Sequence, residues 1–159
     1  MRVALGADHA GVGLKQHVMQ WLDARRVPYQ DFGTNEDESV DYPDFAETVA
    51  RSVASGTFDR GILICGTGIG MAIAANKIGG IRAAPVSDVD TARLSREHND
   101  VNVLALGARI TTAATAHEIV TLFLDTPYGG GRHDRRLRKI LALEEQQVEQ
   151  ARTPKVSRR

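Results

Sequence analysis

The residues best equipped for chemistry are packed into one stretch, Cys65-Gly-Thr-Gly-Ile-Gly70, where an apolar run from Gly61 ends in the chain's one cysteine and then in glycine at every second position. A strand that empties into glycines ahead of a helix turns several backbone N–H groups toward one point, which is how α/β proteins hold anions and developing oxyanions. Thiols near helix N-termini ionise more readily than free ones, and a thiolate is both a nucleophile and a base near neutral pH. The stretch therefore points to an anionic ligand beside a proton-transfer or nucleophilic step. The plain alternative is an inert, buried thiol.

Other groups gain meaning next to it. Asp8 and His9 stand where a first strand meets a first helix, as an acid–base pair or simply as an N-cap and a packing residue. In Ser95-Arg-Glu-His-Asn-Asp100, His98 and Asn99 occupy a helix end, where His98 is a proton donor or only a partner for the helix dipole. Arg132 and Arg136 lie four residues apart at the start of the last helix and form a candidate phosphate clamp, because arginine forks suit phosphate oxygens. Arg135, Arg138 and Lys139 crowd the same turn, so taken alone the motif reads first as a solvated basic face and gains weight only beside a second anion feature. Two histidines, an aspartate, a cysteine and Thr67 are expected to converge on one rim of one sheet.

That rim must come from alternating elements. Short apolar runs over Arg2–Ala7, Pro28–Phe32, Gly61–Cys65, Ile81–Val86 and Val101–Leu106 alternate with segments of helical period, the pattern of βα units around a five-stranded parallel sheet. Leu14, Val18 and Leu22 share one helical face, as do Phe45, Val49 and Val53, and as do Ala116, Ile119, Val120, Phe123 and Leu124. Met71–Lys77 and Asp88–Glu97 read as shorter helices. In such sheets ligands collect beyond the carboxyl ends of the strands, where Asp8, Asp41, Tyr42, Cys65, Thr67 and Arg109 are expected. A last helix from Asp134 to about Gln150 carries Leu137, Ile140, Leu141 and Val148 on one side. It follows the flexible segment Thr126-Pro-Tyr-Gly-Gly-Gly131, so its stripe packs either on its own sheet or on a second copy in a twofold dimer.

With 159 residues and 42% hydrophobic content, one domain over 1–150 is expected, followed by a polar, basic, disordered tail over 151–159. Twenty basic and twenty acidic side chains balance, so no molecule-wide field recruits nucleic acid or a membrane. That favours a small substrate. One cysteine excludes an internal disulfide and a multi-cysteine zinc site. No apolar run approaches the ~20 residues of a membrane span and no signal-peptide core precedes Val3, so a cytoplasmic protein is expected. The glycine loop also invites a dinucleotide reading, with Asp88 as the ribose acid, but the G-x-G-x-x-G spacing fails at Met71.

Six ordered motifs, Gly6-Ala-Asp-His-Ala-Gly11, Asp41-Tyr-Pro43, Gly61-Ile-Leu-Ile-Cys-Gly-Thr-Gly-Ile-Gly70, Ala74-Ala-Asn-Lys77, Ser95-Arg-Glu-His-Asn-Asp100 and Gly131-Arg-His133, resemble the type B ribose-5-phosphate isomerases. That family also includes galactose-6-phosphate and allose-6-phosphate isomerases, and the resemblance covers about residues 1–143. It implies a three-layer α/β/α Rossmann-like sandwich, a homodimer or dimer of dimers whose C-terminal helix serves dimerisation, active sites shared between chains, a sugar phosphate as ligand, and no metal or cofactor. By the same resemblance Cys65 is the base, Thr67 its neighbouring hydroxyl and His98 the group that opens the sugar ring, with Asp8 at the ring oxygen or hydroxyls. His9, Arg109, Arg132 and Arg136 match the phosphate set, while Tyr42, Asn99, Gly66, Gly68 and Gly70 match positions around the sugar. A subgroup uses a glutamate where this chain has Met71, so the resemblance is to the cysteine subgroup. The chain departs from shorter members past about Glu145. Ribose 5-phosphate is the expected substrate; the alternatives are a tetrose, another pentose or a hexose phosphate, or a non-catalytic sensor of such a ligand.

Overall fold

The computed structural model describes residues 1–152. Five parallel strands, β1 (Val3–Ala7), β2 (Tyr29–Asp31), β3 (Arg60–Cys65), β4 (Ala83–Pro85) and β5 (Val103–Gly107), form one sheet in the order β2-β1-β3-β5-β4. Side chains alternate across it. Val3, Leu5, Ile62, Ile64, Leu104 and Leu106 face one apolar layer with α1 (Val12–Ala24), α4 (Val89–Asn99) and α5 (Ala113–Asp125). Ala4, Leu63, Cys65, Val103 and Ala105 face the other, with α2 (Tyr42–Ala54) and α3 (Ile69–Ala75). The three expected layers follow from period-2 strands meeting period-3.6 helices on both faces.

The differences from the sequence reading have local causes. Strand β4 is an edge strand that pairs only with β5 and spans Ala83–Pro85 rather than Ile81–Val86; Pro85 is tolerated there because the next N–H, that of Val86, still donates to Ala105 O at 3.0 Å. Helix α3 starts two residues before Met71, since Gly68 takes a left-handed φ of 78° and becomes its N-cap. Met71 itself is fully buried in the α2–α3 layer. The last helix, α6 (Asp134–Arg152), outruns the expected end at Gln150, and the expected disordered tail otherwise lies outside the described residues. Its Ile140, Leu141, Leu143 and Val148 are 40–60% exposed, so this subunit does not cover the stripe. Glu144 fastens α6 to the rest of the chain by accepting the Gly80 N–H through both oxygens at 3.0 Å. Among the described residues no helix is long and apolar enough to cross a membrane.

Candidate active site

Strand order reverses between β1 and β3, and the chain's reactive groups leave the sheet there. Ala7 and Ile64 are in register, and the Asp8 N–H donates to Ile64 O at 3.1 Å, so Asp8 and Cys65 emerge side by side. The Asp8 carboxylate is largely committed to structure: Oδ1 accepts the N–H groups of Ala10 and Gly11 and caps the single 3-10 turn that opens α1. His9, on that turn, accepts the Val40 N–H at Nδ1 (3.3 Å), which places its own proton on Nε2, free to donate to an anion.

Cys65 is 5% exposed and borders the apolar layer, yet its sulfur is not sealed in hydrocarbon alone, because the Gly68 N–H donates to Sγ at 3.1 Å. The glycine loop thus spends one amide on the sulfur. Its other glycines admit close neighbours. A Cβ on Gly66 would lie 3.2 Å from an Arg109 guanidinium nitrogen, and one on Gly70 would lie 2.6 Å from Cζ of the Tyr42 ring. Arg109 also donates its backbone N–H to Gly66 O at 3.0 Å. Thr67 is exposed and accepts the Ile69 N–H at 3.4 Å, next to a cavity of about 210 Å³ lined by Ile69, Pro85, Val86, Ser87 and Ile110. Asp8, His9, Tyr42, Cys65, Thr67, Arg109 and the three glycines therefore share the carboxyl edge.

His98 does not join them, contrary to the single-rim expectation. Helix α4 runs back across the sheet, so its last residues, His98 and Asn99, lie at the amino edge. Asp100, which caps α4 with a left-handed φ of 46°, accepts from Arg82 (2.8 Å) just before β4 and from Arg96 (2.8 Å). Burial lowers the Arg60 guanidinium from its ordinary value, Arg96 adding to the effect and Asp100 opposing it, so the first residue of β3 belongs to this cluster. Cys65 is at the strand's other end, five residues and roughly 16 Å away. Beside His98 stands His133, its ring centroid 4.3 Å away and its plane 15° from parallel. Arg132 and Arg136 flank it, both exposed. Burial, then the neighbouring His98, Arg132 and Arg136, hold the His133 imidazole below its ordinary value, with Asp134 acting the other way. Asn99 is exposed and lines a cavity of about 310 Å³ with Arg82, Ser95 and Ile140 of α6.

Two site features were not read from the sequence. Lys15 is fully buried and donates to both Asp31 oxygens (2.8 Å each), Thr34 O (2.6 Å) and Asn35 Oδ1 (2.8 Å), tying down the start of the loop whose far end meets His9 at Val40. Its signal was present, since Lys15 stands three and seven residues before Val18 and Leu22 on the apolar face. His133 lies inside a quoted motif but carried no role. Asp88 is not poised for a ribose: its carboxylate accepts the Thr91 N–H and hydroxyl at 2.8 Å each. Among the described residues no three of His, Cys, Asp and Glu are grouped as metal ligands would be.

A parallel sheet with a cysteine and an aspartate at its reversal point, and cationic groups collected at both edges, defines a small α/β enzyme for an anionic substrate. Residues 3–140 match the family model described as Ribose/Galactose Isomerase, and the chain belongs to that family of isomerases. It is 48% identical over 144 residues to ribose-5-phosphate isomerase B of Escherichia coli K12, covering 91% of this chain and 97% of that one. The ribose-5-phosphate isomerase B structure from Clostridium thermocellum superposes with a TM-score of 0.91 at 49% identity, over 92% of this chain and 99% of that one. A Mycoplasma genitalium ribose-5-phosphate isomerase B solved with bound ribulose-5-phosphate aligns with a TM-score of 0.88 at 41% identity, over 91% and 96% of the two chains.

Proposed function

We propose that this isomerase interconverts ribose 5-phosphate and ribulose 5-phosphate, with Cys65 as the base, in a site completed by a second copy of the chain. The observation that carries the reading is the position of Cys65: at the strand-order reversal, beside Asp8, its sulfur held by the Gly68 N–H, with Arg109 against Gly66 and Tyr42 against Gly70 of the adjoining loop. The relatives' names and the bound ribulose-5-phosphate of the Mycoplasma genitalium protein support the choice of sugar.

In this reading His98 gives a proton to the ring oxygen as the bond from C1 to that oxygen breaks, and the C1 hydroxyl loses its proton, leaving an aldehyde. The Cys65 thiolate then takes the proton from C2, and the electron pair moves onto the C1 carbonyl oxygen to give a cis-enediolate. Returning the proton from the Cys65 thiol to C1 while the C2 hydroxyl proton passes to the C1 oxyanion yields the ketose. Amides of the Gly66–Gly70 loop not spent on the sulfur face the developing oxyanion, and loss of one such donor typically costs on the order of 3 kcal/mol. His9 and Arg109 meet the phosphate from one chain, and Arg132 and Arg136 from the other, so that remote binding energy positions C1 and C2.

Distance supports the second copy. One chain keeps Cys65 and His98 at opposite sheet edges, farther apart than a five-carbon sugar phosphate reaches. In this reading a twofold pair covers the exposed Ile140, Leu141 and Val148 of α6 and brings His98 of one subunit to Cys65 of the other.

The test is hydrogen exchange with solvent deuterium together with a ranking of kcat/KM over four-, five- and six-carbon aldose phosphates, including galactose and allose 6-phosphates. Cys65→Ala is expected to lose carbon-bound exchange by at least about a thousandfold while still binding the phosphate. Normal turnover by that variant would remove the assigned base. A non-pentose at the head of the ranking would replace the substrate, and a wild-type protein that binds without exchanging would be a sensor.

A further inference from the structure

His133 has no part in the mechanism above, yet it is buried, 8% exposed between exposed Arg132 and Asp134. Its ring is held from behind. Arg96 reaches Thr126 O through Nε at 3.3 Å, and the Gly129 N–H donates to Glu97 O at 2.9 Å, so the segment leading to His133 is pinned along the last turns of α4. A Cβ on Gly129 would lie 2.9 Å from Glu97 O, so a side chain there would push the segment off the helix. The His133 N–H donates to Gly130 O at 3.2 Å and closes the turn.

The ring's polar edge and its face are both engaged. Arg132 Nε faces His133 Nε2 at 3.5 Å, and since a guanidinium only donates, Nε2 is the acceptor and the proton sits on Nδ1. One face lies flat on His98 at 4.3 Å. His98 sits half-buried on the penultimate residue of α4, where an unsupported side chain samples several rotamers; a fixed aromatic face selects one.

We infer that His133 is a positioning residue that seats the His98 imidazole for opening the sugar ring, and that it serves this step rather than proton transfer at carbon. The inference rests on the reaction proposed above. That reaction separates the two steps by direction: ribose 5-phosphate arrives as a furanose, whereas ribulose 5-phosphate, its C5 hydroxyl blocked by phosphate, cannot close a furanose ring through C2 and needs no opening.

The experiment uses the full chain and two variants, His133→Ala and His133→Phe, the second retaining a flat ring. Two quantities are read: kcat and KM from ribose 5-phosphate, and deuterium uptake at C1 of ribulose 5-phosphate. His133→Ala is expected to lose kcat from the aldose by about tenfold or more with KM nearly unchanged and ketose exchange close to wild type, and His133→Phe to recover most of the loss. Equal loss of both activities, a rise in KM alone, no loss in either variant, or a Phe variant as impaired as the Ala one would overturn the inference and leave the isomerase reading standing. A wild-type chain inactive on both sugars would overturn the isomerase reading itself.

Discussion

Single groups at this site are set by their nearest neighbours, and His133 shows the consequence most directly. Its folded imidazole titrates below the ordinary 6.5 because burial and the cationic groups around it disfavour the charged ring. Between that lower value and 6.5 the unfolded chain binds the extra proton, so stability is fully present above the unfolded value and falls as the pH drops through the window. The urea midpoint is expected to be lower at about pH 5.5 than at about pH 7.5, and His133→Gln should shrink that difference. An undiminished difference in the variant would assign the acid sensitivity to other groups. Asp8 teaches a related lesson, since a carboxylate already accepting two backbone N–H groups acts on a sugar only through its remaining lone pairs.

At the scale of elements, the glycine loop depends on backbone conformation more than on side chains. Gly68 holds a φ of 78°, and a Cβ there would lie 3.1 Å from the carbonyl carbon and oxygen of Ala105, atoms of a central strand that cannot move aside. Gly68→Ala is expected to cost about 2 kcal/mol in denaturant titration, from left-handed strain and that contact together, and to lower kcat by displacing the N–H that holds the sulfur. Gly13 in α1 supplies the control: a Cβ there meets nothing within 4 Å, so Gly13→Ala should stabilise by about 0.5–1 kcal/mol. Similar losses in both variants would refute the conformational account of the loop.

At the scale of the whole molecule, the two half-sites make a prediction that no single-chain enzyme shares. Cys65→Ala and His98→Asn should each be nearly inactive alone. Unfolded together and refolded as a mixture, they should regain about a quarter of wild-type activity, because half of randomly formed twofold pairs are mixed and each mixed pair carries one intact site. Failure to regain any activity would show that Cys65 and His98 do not meet across an interface. Charge placed on the exposed stripe, as in Leu141→Glu, should separate the subunits and abolish this rescue.

Much of this architecture can be read from side-chain types and their periods. Alternating Leu63 and Ile64 assign β3 two buried faces, and Leu14, Val18 and Leu22 assign α1 to a sheet, because burial depends on local geometry that repeats along the chain. The site residues are legible for a different reason: a cysteine, paired glycines and arginines are chemically uncommon choices at strand and helix ends. Neighbourhood is another matter. Nothing in the periodicity says that β5 inserts between β3 and β4, or that Lys15 turns inward to four oxygens contributed by Asp31, Thr34 and Asn35. Tertiary structure alone places His98 against His133 and an entire sheet away from Cys65. Contacts between segments distant in sequence depend on how the layers stack and in which direction each helix returns, and composition carries no record of either.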